Sequence, residues 1–446
     1  MNVVDRLKKE ITSGSARSAK AVKNIVFMFF IKGASILIGL VMVPLTLSYV
    51  NSGTYGIWLT LSSMIGWISF FDIGLNNGLK NKLVEAIAIG DIELGRKYVS
   101  TTYAVLSLIF IPIMVILLVV APLLDWQQLL NISVDDAAGL LASVCVVITY
   151  FCINFILNTI NVVLLADQRP ADASFRSFIQ QLVSLLIIFI MVKTTSGSLL
   201  KLCVGLCLSP ILVSALFNIT LFAGRYKHFA PSIKYVDFHQ VPVLMKLGVQ
   251  FFIIQIAGVI QYQMVNFLII RHFGSDEVTS YNIAHKYFNV IYMVWGILIT
   301  PVWAAVADAI SRKDYTWVEN AQKKYGRLFL LFLSGGLIML VISPFAYKIW
   351  VGDKVSVSFT LSAWVFIYTM VMMFGSIYVN ILNGAGELKI QTIACVISPL
   401  VFLAVTYILI YFGYGAYSII VGSVVANFNG FILAPIQYKT LIKRRI

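Results

Sequence analysis

Charged residues are scarce in this sequence. They make up 12% of the 446 residues, whereas 60% are hydrophobic, and the mean hydropathy is +0.91. A typical soluble domain is about 25% charged and about 45–50% apolar. The imbalance excludes a soluble enzyme, a disordered chain and a disulfide scaffold. It indicates a membrane protein with about a dozen helical spans, since each span needs roughly 20 apolar residues.

Cysteine and histidine are also few, with five and four copies. The cysteines all lie inside apolar runs, and none has a histidine beside it at a metal-ligand spacing: Cys145, Cys152, Cys203, Cys207 and Cys395. This predicts small packing residues and no metal site. The polar, basic start of the chain, 1–23, predicts no cleavable signal peptide.

Nucleotide-binding and catalytic signatures are missing. The chain contains no Gly-x-x-x-x-Gly-Lys-Ser/Thr motif and no dinucleotide fingerprint. The longest predicted outer loop, 125–138, is too short for a catalytic domain. We therefore expect no enzyme activity, no cofactor and no built-in ATP engine.

Hydropathy predicts an all-α polytopic membrane protein with twelve spans. They lie near 24–50, 55–79, 99–124, 139–166, 175–193, 199–222, 246–270, 278–306, 327–350, 358–383, 391–412 and 415–438. Most of the 33 lysines and arginines fall in the two tails and the even-numbered loops, with Arg169 and Arg176 counted in the fourth loop. This distribution predicts that both termini face the cytoplasm. The net charge of +14 is mostly this topology signal, and no nucleic-acid partner is expected.

A weak internal repeat divides the chain into halves. Glu85-Ala86-Ile87 with Asp91 follows the second span, and Asp308-Ala309-Ile310 with Asp314 follows the eighth. The match predicts two six-helix lobes in the same orientation. The N-terminal lobe with its basic tail is 1–222, the cytoplasmic linker is 223–245, and the C-terminal lobe with its basic tail is 246–446.

Polar residues form stripes on four predicted spans at helical spacing. The stripes include Lys32 on the first span; Trp58, Asp72 and Asn76 on the second; Gln255 and Asn266 on the seventh; and Asn282, His285, Lys286 and Asn289 on the eighth. Matching helices of both halves carry them. The pattern predicts a water-filled cleft between the halves, because polar groups within a membrane usually face protein or water.

Lys32 and Asp72 lie at similar depths, about 12 and 10 Å from the cytoplasmic ends of their spans. We expect them to form an ion pair. Two interpretations stay open: a fixed structural bridge that offsets two charges in lipid, or a switchable gate whose lysine meets an anionic substrate or whose carboxylate carries a coupling proton.

The outer part of the C-terminal half gathers three basic or titratable residues. His285 and Lys286 lie roughly 11–12 Å inside the eighth span, and Arg271 lies at the outer mouth of the seventh. Together they predict an anion or phosphate site. The alternatives are that Arg271 and Lys286 extend to the outer surface, and that His285 is a hydrogen-bonded packing residue.

Several motifs resemble bacterial O-antigen and capsule flippases, the polysaccharide transporter family of the MOP exporter superfamily. They are Tyr55–Trp58, Phe70–Lys82, Tyr281–Phe288, Pro301–Trp303 and Leu382–Lys389. The resemblance covers essentially the whole chain. It implies a V-shaped, MATE-like pair of six-helix lobes around a cationic central cavity.

The resemblance also implies the activity. An undecaprenyl-diphosphate-linked oligosaccharide would pass from the cytoplasmic to the periplasmic leaflet of the bacterial inner membrane by alternating access. An ion gradient, of H⁺ or Na⁺, or the membrane potential would drive it, and polysaccharide polymerase machinery is a candidate partner. Lys32, Lys286, His285 and Arg271 match the expected cationic cavity, although their assignment comes from periodicity.

Other functions stay open. A multidrug or cation antiporter of the same superfamily is the first alternative, but such a site would be richer in buried carboxylates than this chain, where Asp72 is the main deep acid. A general twelve-helix solute porter and a structural membrane protein are further alternatives. The usual signature of a general solute porter, an acid, a glycine and paired arginines, is missing from this chain. A structural membrane protein would give the polar stripes no purpose.

Overall fold

A computed structural model describes residues 16–68, 75–132, 138–167, 169–245, 263–387 and 389–445. Within these ranges the chain consists of helices and turns, without β-strands.

Nine α-helices lie in the described part of the N-terminal half. They are α1 (Ala16–Tyr49), α2 (Ser52–Ile68), α3 (Leu75–Ile89), α4 (Ile92–Val120), α5 (Trp126–Leu130), α6 (Leu140–Leu157), α7 (Thr159–Ala166), α8 (Pro170–Thr194) and α9 (Leu199–Ala223).

Eight more α-helices follow within the described ranges. They are α10 (Val241–Met245), α11 (Met264–Phe273), α12 (Ser275–Ser311), α13 (Tyr315–Val351), α14 (Phe359–Gly384), α15 (Lys389–Tyr411), α16 (Tyr417–Ala426) and α17 (Ala434–Arg445). A π-helical stretch, Asn429–Leu433, joins the last two.

Large apolar side chains cover the outside of these helices. On α13, Ile338, Val341 and Phe345 recur at helical spacing and are largely exposed. Such a stripe would be costly in water but is favourable against lipid, while the helix satisfies its own backbone hydrogen bonds. In the described ranges, eight helices are long and apolar enough to cross a membrane, or nine if the bent pair Tyr417–Ala426 and Asn429–Ile442 is one span. The chain is therefore a multi-pass helical membrane protein, as predicted.

Each predicted span overlaps at least one described helix. The number of membrane crossings, twelve, stays a prediction, because part of the seventh predicted span lies outside the described residues. The sidedness of the termini also stays a prediction.

The helices form two compact units that interleave along the chain. The first unit comprises Met1–Tyr49, Phe71–Leu124 and Gly139–Phe252. In its core α9 packs against α6 and α8, and α8 also packs along α1. An aromatic cluster joins α4 to α6, with the rings of Phe110 and Phe155 stacked 4.3 Å apart.

The segment after α9 belongs to the first unit and packs against α4. Arg96 donates from Nε to the carbonyl of Ala230 at 3.0 Å and lies 4.2 Å over the ring of Tyr235. Thr101 accepts from the backbone N–H of Asp237 at 2.9 Å. These bonds hold the predicted linker, 223–245, as an ordered strap on this unit.

The second unit comprises Val50–Phe70, Asp125–Ala138 and Ile253–Ile446. Its α12 packs along α14, α13 and α2. Helix α2 belongs to this unit although it precedes the predicted lobe boundary. The boundaries 1–222, 223–245 and 246–446 stay a prediction.

A glycine sets the contact between α2 and α12. A Cβ atom at Gly56 would lie 1.9 Å from the carbonyl oxygen of Ser275, so only glycine permits this approach. Two hydrogen bonds reinforce the junction: Thr279 donates to the carbonyl of Ser52 at 2.6 Å, and the Ser52 hydroxyl donates to Asp276. The close approach at Gly56 places the neighbouring Tyr55 against the polar stripe on α12, where it contacts Lys286.

Candidate functional site

Lys286 is the basic centre of the second unit. Its ammonium group donates to the hydroxyl of Tyr55 at 3.0 Å and lies 5.7 Å from the centre of that ring. The side chain is half-buried. No carboxylate of the described residues lies within ion-pair distance of it. Because an ammonium carries three donors, a single phenol leaves hydrogen-bonding capacity for a ligand.

An amide relay lies one helical turn before Lys286. Asn282 donates from Nδ2 to Oδ1 of Asn266 at 2.9 Å and to the carbonyl of Val278 at 2.8 Å. Asn266 in turn donates to the carbonyl of Leu59 at 3.4 Å. The relay therefore connects α12, α11 and α2 without any charged group.

Aromatic side chains enclose the same part of α12. The rings of Tyr281 and His285 lie 5.6 Å apart. Tyr287 donates to the carbonyl of Met339 at 3.0 Å, and its ring meets Tyr347 edge-on at 5.3 Å. These contacts hold α12 against α13, so Lys286 extends from a fixed helix. We call Tyr55, Asn266, Asn282, His285 and Lys286 the cationic cluster.

The other predicted residues of this unit lie around the cluster or away from it. Asn289 is half-buried one turn further along α12, and Trp58 is half-buried on α2. Arg271 is exposed, and its guanidinium donates to the carbonyl of Gln128 at 2.5 Å. That bond directs Arg271 to α5, and the structure records no bond from it to the cluster.

The predicted residues of the first unit are only partly described. Lys32 is exposed on α1, and Asn76 is half-buried on α3. Asp72 and Gln255 lie outside the described residues. The Lys32–Asp72 ion pair therefore stays a prediction.

Sequence reasoning misplaced Arg176, which it counted in a loop. The structure places it inside α8 with 3% of its surface exposed. Its Nη1 donates to the Ser214 hydroxyl at 2.9 Å, and its Nη2 donates to the Asn158 side chain. Its Nε finds no hydrogen-bond partner among the described residues. Hydrogen bonds to neutral oxygens, and not to a carboxylate, offset the cost of burying this guanidinium.

A periodic signal for this group was present in the sequence. Arg176, Gln180 and Ser184 recur every fourth residue on α8, and Ser214 and Asn218 do so on α9. Gln180 donates to the Ser214 hydroxyl at 2.9 Å, which joins the two rows. These residues therefore form a polar stripe at helical spacing, like the stripes on the four spans described above.

No family model matches the chain. A protein of Yersinia pseudotuberculosis named "Putative O-antigen export protein" is 20% identical over 364 residues, covering 80% of this chain and 81% of the relative. An inward-facing multidrug resistance MATE family transporter of the MOP superfamily matches with a TM-score of 0.77 at 14% identity, over 92% of this chain and 96% of that chain. The chain has the MOP-superfamily fold.

Other solved structures of this fold agree. A MOP-superfamily transporter from Pyrococcus furiosus, described as having a binding pocket of reversed polarity that suggests a different function, gives a TM-score of 0.62 at 15% identity, over 97% and 98% of the two chains. The two-lobe, MATE-like all-α fold is thereby confirmed, as is the resemblance to an O-antigen export protein. At these identities the MOP-superfamily likeness concerns the fold.

Proposed function

We propose that this protein is a flippase for an undecaprenyl-diphosphate-linked oligosaccharide, an O-antigen or capsule repeat unit. It moves the head group from the cytoplasmic to the periplasmic leaflet by alternating access. The observation that carries the proposal is Lys286, a half-buried cation in an apolar unit with a phenol as its partner.

Lys286 places a positive charge among apolar helices. A charge inside the membrane is expensive and is usually paired or functional. Within the described part of the chain Lys286 has no acid to neutralise it. A diphosphate supplies the missing negative charge and forms strong, charge-assisted hydrogen bonds with an ammonium. Lys286 would therefore be stabilised most when the cargo is bound.

The surroundings of Lys286 suit the rest of the head group. Asn282 and Asn266 offer amide groups, and Tyr281, His285 and Tyr55 offer ring faces. The hydroxyl groups of a sugar can form hydrogen bonds with the amides, and its C–H faces can pack on the rings. A site for a cationic drug would instead need carboxylates, and the cationic cluster has none.

The comparisons support the same cargo class. The relative from Yersinia pseudotuberculosis is named for O-antigen export, and the Pyrococcus furiosus structure shows that reversed pocket polarity occurs on this fold. Because the sequence contains no ATP-binding motif, we assign the driving force to an ion gradient, of H⁺ or Na⁺, or to the membrane potential. That potential is worth about 2.3 kcal/mol per charge per 100 mV.

The remaining assignments follow from this activity. We place the protein in the bacterial inner membrane with both termini in the cytoplasm and one six-helix lobe on either side of the 223–245 linker. We assign Lys32 and Asp72 to gating or ion coupling, Arg271 to the outer mouth, and Trp58, Asn76, Gln255 and Asn289 to the cargo path. Membrane lipids and polysaccharide polymerase machinery are the proposed partners.

A reconstituted transport assay tests the proposal. The purified protein is placed in liposomes with a polyprenyl-diphosphate sugar that carries a fluorophore, and a membrane-impermeant quencher reports which leaflet holds it. We expect ion- or voltage-dependent translocation of the sugar lipid and none in protein-free liposomes. Gradient-driven uptake of a cationic dye without movement of the sugar lipid would support the multidrug or cation antiporter instead.

A further inference from the structure

A second polar pocket lies within the second unit, away from Lys286. Helices α12, α14 and α15 and the α16–α17 segment line a half-open cavity of about 240 Å³. Its polar lining includes Tyr292, Ser376, Asn380, Gln391, Asn427 and Asn429. No acidic or basic side chain of the described residues lines it.

A broken helix creates this pocket. The segments Tyr417–Ala426 and Asn429–Ile442 meet at an angle of 41°, and the π-helical stretch lies at the break. Gly430 at the break touches Gly375 of α14: a Cβ atom at Gly375 would lie 2.8 Å from the Cα of Gly430. Two glycines in contact bring the backbones together at one point, and the bend leaves the cavity beside it. π-helical bulges of this kind are frequent at functional sites.

The pocket presents hydrogen-bond acceptors that the protein leaves available. The Oε1 atom of Gln391 is buried and has no hydrogen-bond partner in the described part of the chain. Asn380 donates from Nδ2 to the carbonyl of Ser376, and Asn427 donates from Nδ2 to the carbonyl of Ser423, both at 2.8 Å. A buried, unpaired amide oxygen carries an unfavourable free-energy cost, because it has lost its hydrogen bonds to water. A ligand with hydroxyl or N–H donors would remove that cost.

The walls of the pocket are fixed. Trp295, fully buried, donates from its indole nitrogen to the Ser376 hydroxyl at 2.8 Å, and Ser376 donates to the carbonyl of Met373. The lining combines neutral amides and hydroxyls with apolar side chains such as Val371, Met372 and Val379, which suits an uncharged ligand that has both hydroxyl groups and an apolar C–H face. The volume is below the roughly 300 Å³ at which sites for drug-sized ligands begin, so it suits one ring and not a chain of rings.

A polar stripe on α12 connects the pocket to the cationic cluster. His285, Asn289 and Tyr292 are spaced i, i+4 and i+7, which places them along one face of the helix. Tyr292 lies seven residues beyond His285, about 10 Å along the axis. A charged group at Lys286 and a neutral ring at Tyr292 would thus be held along one rigid element.

We propose that this pocket is a subsite for a single uncharged sugar residue, a hexose or N-acetylhexosamine, of the transported head group. The inference rests on the proposed function, since it divides the cargo into a phosphate part near Lys286 and a sugar part near Tyr292. Gln391, Asn427 and Tyr292 would supply the acceptors and the ring face.

Cys395 provides a reporter, because it lines the pocket and is half-buried. The other half-buried cysteine, Cys145, is removed by C145A, and the remaining three are buried. The full-length protein in lipid nanodiscs is treated with a small maleimide, and the modification of Cys395 is followed by mass spectrometry. Free glucose, galactose, N-acetylglucosamine or inorganic phosphate is added at concentrations up to about 100 mM.

We expect at least one neutral sugar to slow modification about threefold or more, and phosphate to have no effect. Gln391→Leu and Asn427→Leu should abolish the protection. The control Thr392→Val, at the exposed neighbour of Gln391, should keep it. Saturation-transfer NMR on the same sugars and variants gives a readout that does not depend on the thiol.

Three results would overturn the inference. They are equal protection by phosphate, protection that survives both leucine variants, and the absence of any sugar signal in both methods. These outcomes are separable from failure of the proposed function. If a sugar protects Cys395 but the protein moves no sugar lipid, the sugar subsite is retained and the flippase function is rejected. If the protein moves the sugar lipid but no sugar protects Cys395, the flippase function is retained and the subsite is rejected.

Discussion

Two cations buried in apolar helices distinguish the two units of this protein. Arg176 in the first unit is almost wholly buried and donates to Ser214 and Asn158. Lys286 in the second unit is half-buried and donates to Tyr55. Neither has a carboxylate partner among the described residues.

The two cations differ in how accessible their charged groups are. The guanidinium donates to Ser214 of α9 and to Asn158 between α6 and α7, and with 3% of its surface exposed Arg176 is part of the core. The ammonium keeps donors and some exposure, which makes Lys286 available to a ligand. The comparison teaches that a cation within an apolar unit indicates a ligand site when part of its surface stays accessible, since Arg176 is enclosed and Lys286 is half-buried.

The largest expected effect is on the stability of the first unit. Arg176→Met leaves the Asn158 oxygen without its donor and removes one of the two donors to the Ser214 hydroxyl, so we expect a loss of about 2–3 kcal/mol in the free energy of unfolding. Denaturant unfolding in detergent measures it. The control Arg225→Met removes a partly exposed arginine whose guanidinium lies 3.9 Å from Asp172 and should cost less than about 1 kcal/mol.

A loss in Arg176→Met no larger than in the control would contradict a structural role. A folded Arg176→Met variant that binds cargo far more weakly than the wild type would also contradict it. Both cations, and not Lys286 alone, would then contact a ligand.

A smaller effect is expected at the partner of Lys286. Tyr55→Phe keeps the ring but removes the hydroxyl that Lys286 donates to, which should cost about 1–2 kcal/mol of stability. Translocation should stay within about threefold of the wild type, since the ammonium remains. Thermal unfolding and the liposome assay measure the two quantities. A loss of translocation with unchanged stability would assign Tyr55 itself to cargo binding.

The amide relay should contribute less again. Asn266→Ala and Asn282→Ala remove the two ends of one hydrogen bond, so a double-mutant cycle should give a coupling of about 0.5–1.5 kcal/mol. The unfolding free energies of the two single variants and the double variant supply the cycle. A coupling of zero would show that the two amides act independently.

The smallest effect concerns the exposed strap on the first unit. Hydrogen bonds from the Gln240 side chain and the His239 N–H lower the pKa of Asp237 below its usual 3.8. Because the pKa is lowered, the Asp237 carboxylate stays ionised above pH 3.8 and keeps its bonds from His239 and Gln240. These bonds weaken only as the pH falls through the lowered pKa. Hydrogen exchange at the His239 amide should therefore be pH-independent, after correction for intrinsic rates, from pH 7 to about 4 and should rise below it. Asp237→Asn should remove that rise, and a rise near neutral pH would contradict the assignment.

Periodicity in the sequence predicted much of this arrangement. The polar face of α12, with Asn282, His285 and Lys286, follows from spacing alone because a helix repeats every 3.6 residues. The partner of Lys286 could not be found in this way, since Tyr55 lies 231 positions away and is brought there by the Gly56 contact.

Charge counting failed for Arg176 for a related reason. A count of basic residues assigns every arginine near the end of a span to a loop, whereas the amides of neighbouring helices can bury one. The pocket beside Gly375 and Gly430 was also not predicted, because its shape comes from a bend and a close backbone contact that leave no periodic signal.

The most direct test of the central claim compares cargo charge with the charge at position 286. Wild-type protein and Lys286→Gln, with Lys193→Gln as a control at an exposed lysine of the first unit, are assayed in liposomes with polyprenyl-diphosphate and polyprenyl-monophosphate sugars. The account predicts that Lys286→Gln slows diphosphate cargo at least about tenfold, erases its advantage over monophosphate and leaves stability within about 1 kcal/mol, while Lys193→Gln changes neither cargo. An unchanged preference for diphosphate in folded Lys286→Gln would contradict it.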